Sequence, residues 1–392
     1  MTEPKPHSCW CRLTPDRVVL LLLVMGCLLW LSNRLGWPAW QKGYAVLVAL
    51  ALIGIAAVLM LLWLIVCLLF RWRFQFGIRF LLMLTVLVAL LFGWPVAEIR
   101  KAREQRAAVE MIENLRGRVI YGWQYHADGT RLPNAQPPGP AWLQKPLGVD
   151  FFTEVTKVYL GDADVRDITD AQMERLKCLT QLDALYVRSR RVTDAGAKCI
   201  AEMPRLKELF LCDTAVTDAV LESIEHFTQL ELLFLRSAKI TDAGLNRLKG
   251  LVLLRRLYLG GTQVSDAGLE NLKGLTRLDT LELRGTRVTD AVLENIKGLS
   301  QLRILDLSAT RITDAGLQKH LKVLAELETL NLDNTQVTDG GLEHLKDLIN
   351  LRVLELAGSQ VTYAGVEKLR QALPNCRIES SAIPSLIYTP AP

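Results

Sequence analysis

The sequence has no Gly-rich phosphate loop, no Gly-x-Ser-x-Gly elbow and no His-Glu-x-x-His pair, so the common signatures of nucleotide, acyl and zinc chemistry are missing. Histidine occurs five times in 392 residues, and His226, His320 and His344 show no ligand spacing. Catalysis has no support, and no metal or cofactor is expected. The formal net charge is +5 with no dense Lys/Arg block outside the apolar N-terminal region, which argues against a nucleic-acid partner. Eight cysteines are present, yet Cys9-Trp10-Cys11 has no matching second pair, and Cys178, Cys199, Cys212 and Cys376 are scattered. They form neither a disulfide framework nor a zinc site.

What the chain does have is repetition. Val288-Thr289-Asp290-Ala291-Val292-Leu293-Glu294-Asn295-Ile296-Lys297-Gly298-Leu299 recurs in near-copies, each after a Leu-x-x-Leu-x-Leu run. Those runs begin at Leu182, Leu206, Leu230, Leu254, Leu278 and Leu302, 24 residues apart, then at Leu327 and Leu351. A degenerate first copy starts at Val155, with a three-residue insertion around Asp164 to Arg166. Leu281 and Leu283 alternate with polar residues, as a strand with one buried side requires. Arg284-Gly285-Thr286 turns the chain, Thr289 or Asp290 caps a helix, and Leu293, Ile296 and Leu299 return to the same core. No repeat can bury its apolar side alone, so the repeats must stack as a solenoid. The predicted fold class is α/β, with about nine repeats and a parallel β-sheet on the concave face.

The hydrophobic half of the composition is unevenly placed, with most of the excess before residue 98. Residues 1–17 are a polar N-terminus without a signal-peptide cleavage site. Residues 18–97 are expected to hold two or three transmembrane helices: Val18 to Leu31, Tyr44 to Phe70, and Phe80 to Ala97, the last introduced by Arg71-Trp72-Arg73 and closed by Trp94-Pro95. Residues 98–118 read as a charged helical stalk, and residues 119–152 as a Pro-containing linker and N-terminal cap, with Ala141 to Phe152 folded over the first repeat. The solenoid occupies 153–379, ending in a helix before Pro374 and a strand at Cys376-Arg377-Ile378, and 380–392 is a disordered tail.

These repeats resemble those of bacterial leucine-rich repeat proteins, and their Val-Thr-Asp-Ala-Gly-Leu helix start is also similar to the cysteine-containing repeats of F-box adaptor proteins. The run RFQFGIRFLLMLTVLVALLFGW, then EIRKAREQRAAVE and PGPAWL, resembles the anchor and stalk of membrane-bound bacterial members. The resemblance implies a leucine-rich repeat solenoid serving as a curved, protein-binding scaffold. Two departures stand out. The position that usually holds Asn or Cys is here Thr214, Thr262, Thr286, Thr310 and Thr335, with Arg190, Ala238 and Ser359 as exceptions, and the hydroxyls are expected to bond the turn backbone less completely. There is also no F-box, which argues against a ubiquitin-ligase adaptor.

Partner binding is expected at strand positions that point away from the core. The residue between the last two leucines is Tyr159, Tyr186, Phe210, Phe234 and Tyr258 in the first five repeats, then Glu282, Asp306, Asn331 and Glu355. Two residues further on lie Arg188, Cys212, Arg236, Gly260 and Arg284. Aromatics and Arg are the types enriched in interface hot spots, so this column is the candidate grip for a protein or peptide partner. The competing reading is a structural ladder, since rings one strand apart, about 4.8 Å, also pack on each other. The column Asp170, Asp194, Asp218, Asp242, Asp266, Asp290, Asp314 and Asp339 is read as helix capping rather than calcium binding, and Lys177, Lys249, Lys273, Lys297 and Lys346 as cations at helix ends.

With three spans, Lys5, Arg12, Arg17, Arg71, Arg73 and Arg79 fall on one side, and the positive-inside rule then places the solenoid outside the bacterial cytoplasmic membrane. With two spans the parity inverts and a cytoplasmic solenoid follows, where unpaired thiols sit comfortably. The expected function is a membrane-anchored binding protein, held in the lipid bilayer by its N-terminal helices. The alternatives are a self-associating envelope component, an adaptor, or an enzyme with an unrecognised site.

Overall fold

The computed structural model describes residues 48, 51, 78–125, 130, 132–133, 135–161, 167–236 and 238–381. The expected spans at 18–31 and 44–70 (apart from positions 48 and 51), the insertion at Asp164 to Arg166 and the tail beyond 381 lie outside them. The described residues form two compact units, Met1–Ala107 with Tyr121–Glu154, and Ala108–Ile120 with Val155–Pro392.

The first unit holds most of a helix running Ile78–Asn114. The helix does not close at Trp94-Pro95 as the sequence suggested. Proline removes one helical hydrogen bond, and the turns on either side carry the helix through it. Among the described residues no helix is long and apolar enough to cross a membrane. Ala102 on this helix is buried with Phe151 and Phe152, and Ile99, Leu143 and Leu147 pack around them. Leu143 and Leu147 come from the helix Ala141–Leu147, whose Gln144 side chain donates to the carbonyls of Pro137, Pro138 and Gly139 at 3.1, 3.3 and 3.0 Å, gathering the proline-rich turn. Buried Asp150 accepts from Gln105 Nε2 at 2.9 Å and from the Tyr121 hydroxyl at 3.0 Å. Ala141 to Phe152 therefore finds its core against Ile99 and Ala102.

The second unit takes in the end of that helix. Ala108, Val109, Met111, Ile112 and Leu115 are buried, and the chain then turns through Arg116, at φ 62, and Gly117 into β1 (Arg118–Tyr121). A Cβ on Gly117 would stand 2.8 Å from both Ile112 Cγ2 and Leu160 Cδ2, so only glycine lets the helix end pack on the first repeat. The stretch expected to be a stalk thus becomes, from Ala108 onward, part of the solenoid's own core.

Ten strands follow, one per repeat: β2 (Val155–Leu160), β3 (Ala184–Arg188), β4 (Glu208–Cys212), β5 (Leu232–Phe234), β6 (Arg256–Tyr258), β7 (Thr280–Glu282), β8 (Ile304–Asp306), β9 (Thr329–Asn331), β10 (Val353–Glu355) and β11 (Arg377–Glu379). The sheet has 11 strands in sequence order, and from β2 onward each pairs with the next in parallel. The register follows the 24-residue period, so that Leu209, Leu233, Leu257, Leu281 and Leu305 align and are fully buried. With so few residues per repeat, the return path is short. Asp242–Leu245 is one α turn that tightens into the 3-10 segment Asn246–Gly250.

Two side-chain columns lock the repeats, and one corrects a sequence expectation. The aspartates do not cap their own helices. Asp170 reaches the next repeat, accepting from the Thr193 backbone N–H at 2.8 Å and the Thr193 hydroxyl at 2.7 Å. The same double link joins Asp194 to Thr217, Asp218 to Thr241, Asp242 to Ser265, Asp266 to Thr289, Asp290 to Thr313, Asp314 to Thr338 and Asp339 to Thr362. Capping falls to the threonine, as where Thr241 Oγ1 accepts from Ala243 N at 3.3 Å. The carboxylate needs a clear path: a Cβ on Gly244 would sit 2.3 Å from Asp218 Oδ1. This explains the Ala-Gly that follows four of the eight Thr-Asp and Ser-Asp pairs. In the second column Thr262, Thr286 and Thr335 donate to the carbonyls of Leu259, Leu283 and Leu332, each at 2.6 Å, and Thr310 donates likewise to Leu307. The hydroxyls bond the carbonyl that opens the turn, which at Leu259 and Leu283 also accepts from the backbone N–H of the same threonine. Thr214 is the exception, its buried hydroxyl without a partner.

Candidate functional site

The residues between the last two leucines of successive strands lie in register on the sheet face opposite the leucine core. Tyr159, Tyr186, Phe210, Phe234 and Tyr258 are aligned neighbours, followed by Glu282, Asp306, Asn331, Glu355 and Glu379. Parallel pairing with an unbroken period places like beside like.

The five rings are half-buried and form one continuous stack, with successive centroids 4.3, 4.1, 5.3 and 4.9 Å apart. The Arg118 guanidinium lies 5.2 Å from the Tyr159 centroid, a cation over the first ring of the stack. The Tyr186 hydroxyl donates to the Glu208 carboxylate on the next strand, and burial, reinforced by that carboxylate, pushes the phenol well above its ordinary pKa. Burial also raises Tyr258, with Glu282 and Asp279 adding to the effect and Arg256 opposing it.

The three arginines separate. Arg188 pairs with Asp213 at 2.9 Å. Among the described residues, the guanidinium groups of Arg236 and Arg284 form no ion pair within 4 Å and no side-chain hydrogen bond. Cys212, between Arg188 and Arg236 in that order, is half-buried, its thiol pushed up mainly by burial and then by Asp213. Away from this face, Cys199 and Cys376 are buried and raised to about 12 and about 11.

The column changes character at Glu282. This side chain is 7% exposed, and its Oε2 has no hydrogen-bond partner. Its carboxylate lies over Gly260, where a Cβ would come within 2.4 Å of Oε1. Burial holds its pKa above the usual carboxylate range, Asp306 adds to the shift, and Arg236 and Arg284 pull against it. Beyond it, burial raises Glu355, and Asp333, Glu379 and Asp306 raise it further. Asp333 is raised in the same way by burial first, then by Asp306 and Glu379. Asn331 donates to Glu355, the one neutral member of the column from Glu282 to Glu379.

The sequence reading singled out the aromatics and arginines but passed over Arg118, Glu208, Asp333 and Glu379. It also passed over a charge pattern visible at the same period. The residue after the first leucine of each run is Asp183, Lys207, Glu231, Arg255, Asp279, Arg303, Glu328 and Arg352, strictly alternating in sign. Lys207 pairs with Asp183 at 3.6 Å, and Glu328 with Arg303 at 3.6 Å and Arg352 at 4.0 Å. This column neutralises itself. So do Lys177, Lys273, Lys297 and Lys346, each paired with a glutamate three residues earlier. Among the described residues no group of three or more His, Cys, Asp or Glu could hold a metal ion.

Residues 299–319, the closing Leu299 of one repeat and the strand and helix start of the next, match the family profile described as Leucine Rich repeat. The solenoid is built of leucine-rich repeats. No curated protein matches the chain. Among solved structures, the leucine-rich repeat solenoid is similar to an internalin from Listeria monocytogenes, at 23% identity and a TM-score of 0.47, over 57% of this chain and 60% of that one. An internalin C2 from the same organism is similar at 22% identity and a TM-score of 0.41, over 56% of this chain and 87% of that one. The chain thus spans less than two thirds of the length of the first of these internalins.

Proposed function

We propose that this is a binding protein rather than an enzyme, whose leucine-rich repeats grip a protein or peptide partner across the concave face, at Tyr159, Tyr186, Phe210, Phe234 and Tyr258 together with Arg236 and Arg284. The observation that carries this reading is a stack of five aromatic rings left half-exposed beside two unpaired guanidinium groups. Contiguous exposed apolar surface of this kind marks interaction sites, and these residue types dominate binding energies. Arg188 supports the strip through Asp213 rather than meeting the partner directly. A photo-cross-linking phenylalanine analogue in place of Phe234 tests the reading. It should capture one protein repeatedly in cells, while the same analogue at exposed Val252, far from the face, captures none. Equal yields at both positions would end the proposal.

Membrane anchoring belongs to the same proposal and rests on the uncharged runs at 18–31 and 44–70 and on the resemblance to anchored bacterial proteins. The solenoid then stands outside the cytoplasmic membrane. Ser380→Cys, in a background whose native cysteines are replaced, should react with a membrane-impermeant thiol reagent on intact cells. Protection lifted by lysis would invert the orientation, and full extraction by alkaline carbonate would remove the anchor.

A further inference from the structure

We infer that the C-terminal half of the concave face is a docking track for an extended, basic segment of the protein partner, which lays Lys or Arg side chains against Glu282, Asp306, Asp333, Glu355 and Glu379. The inference rests on the proposed function and names the chemistry of its partner.

Two observations carry it. First, Glu282, Asp306, Asn331, Glu355 and Glu379 are consecutive register partners, so their side chains emerge one strand apart along a single line. Asp333, two residues beyond Asn331, adds a carboxylate beside it. Like charges placed at neighbouring positions of a sheet repel, and elsewhere in this solenoid the pattern avoids that arrangement by alternating sign, as in Asp183, Lys207, Glu231 and Arg255. Here no lysine or arginine interrupts the line. Arg377 meets Glu379 at the far end, and the cations nearest the near end, Arg236 and Arg284, make no ion pair within 4 Å. Second, the head of the line is a carboxylate more than nine-tenths buried whose Oε2 faces no donor, although a buried charge ordinarily has one. A cationic N–H donor from a partner supplies what that oxygen lacks. Burial first, and then the neighbouring carboxylates, raise the pKa values of Asp333 and Glu355.

Length narrows the occupant. From β7 to β11 there are four strand steps of about 4.8 Å, about 19 Å in all, which an extended chain covers in about six residues at 3.3 Å each. Side chains of an extended chain alternate, so three basic residues at every second position would face the acids. A neutral or helical segment does not match this line, and an acidic one would be repelled.

The test uses the full-length protein and two fluorescent hexapeptides, acetyl-Lys-Ser-Lys-Ser-Lys-Ser-amide and its Glu counterpart, titrated at low salt. The expected result is saturable binding of the Lys peptide, weakened at least tenfold by the combined Asp306→Asn, Asp333→Asn and Glu355→Gln changes and unaffected by Val252→Ser, an exposed position away from the face. The triple variant should melt no lower than the parent, since it removes repulsion, and this shows that it is folded. Absent binding of the Lys peptide, or binding the triple variant retains, overturns the inference, as does preference for the Glu peptide. Loss of the inference with specific Phe234 cross-linking intact leaves the concave-face reading standing, whereas loss of the cross-link alone removes that reading and not the acidic track.

Discussion

The two halves of one sheet face solve the same geometric problem differently. Parallel register puts corresponding side chains of neighbouring repeats side by side, whatever they are. Between Tyr159 and Tyr258 they are flat and apolar, so each ring covers the next and the column satisfies itself. Between Glu282 and Glu379 they are mostly carboxylates; burial raises Glu282 and Glu355, and neighbouring carboxylates raise them further. The first half therefore stabilises the solenoid while leaving ring surface exposed. The second half leaves charge uncompensated. Self-association of residues in a repeat column contributes to stability only where the residue type attracts its own kind.

The largest effect in breaking this contrast should come from replacing Tyr186, Phe210 and Phe234 together by Ser. All four ring contacts disappear, and at about 1 kcal/mol each beyond area burial the loss is about 4 kcal/mol or more. Differential scanning calorimetry should show the solenoid transition falling by about 10 °C, on the scale of about 2–4 °C per kcal/mol for a domain of this size. An unchanged transition would mean that the stack contributes nothing to folding and serves the partner alone.

A smaller change should come from Glu282→Tyr, which extends the aromatic column by one step and removes the buried carboxylate whose Oε2 has no partner. Stacking on Tyr258 contributes about 1 kcal/mol, so urea unfolding should show a higher midpoint than the parent. A lower midpoint would show that Arg236 and Arg284 hold Glu282 more firmly than the exposed geometry implies.

The finest distinction is pH. Glu355 has a folded pKa above its unfolded value, so its ionised form disfavours the folded state. That penalty is fully present above the folded pKa and fades as pH falls through the folded and then the unfolded pKa. Glu355→Gln should therefore raise the melting temperature at about pH 8 and leave it unchanged at about pH 3.5, below the usual glutamate pKa of about 4.3. A gain of equal size at both pH values would assign the effect to hydrogen bonding with Asn331 rather than to charge.

Much of this architecture was legible in the chain. Leu257, Leu281 and Leu305 recur at one period, and the strands fall where the period placed them; the closing strand Arg377–Glu379 lies within one residue of its expected position. The aromatic column was legible for the same reason, because a period that puts leucines in register puts the intervening residues in register too. What the period left open was where side chains go between repeats. Asp290 precedes a helix, and from sequence alone capping that helix is the economical reading. In the structure the carboxylate instead meets Thr313 of the next repeat, because stacking brings that N–H and hydroxyl within 2.7 and 2.6 Å. The edge of the first repeat was hidden too. Ala141 to Phe152 has the apolar content of a cap, yet Phe151 and Phe152 are buried with Ala102, and it is Ala108 to Leu115 that is buried in the solenoid unit.

By itself the sequence determined the repeat length, the alternation that makes each strand, the parallel order of those strands and which residues line the open face. Those properties are local or periodic, and a leucine every few residues can be buried in one stacked arrangement only. The tertiary structure alone decided which columns satisfy themselves. Whether five rings touch, whether Arg188 finds Asp213 while Arg236 makes no ion pair within 4 Å, and whether Glu282 Oε2 is buried without a donor depend on ångström-scale distances between residues about a repeat apart. Hydrogen bonds and ion pairs fade within an ångström of their optimum, and no periodicity in the chain resolves distances that finely.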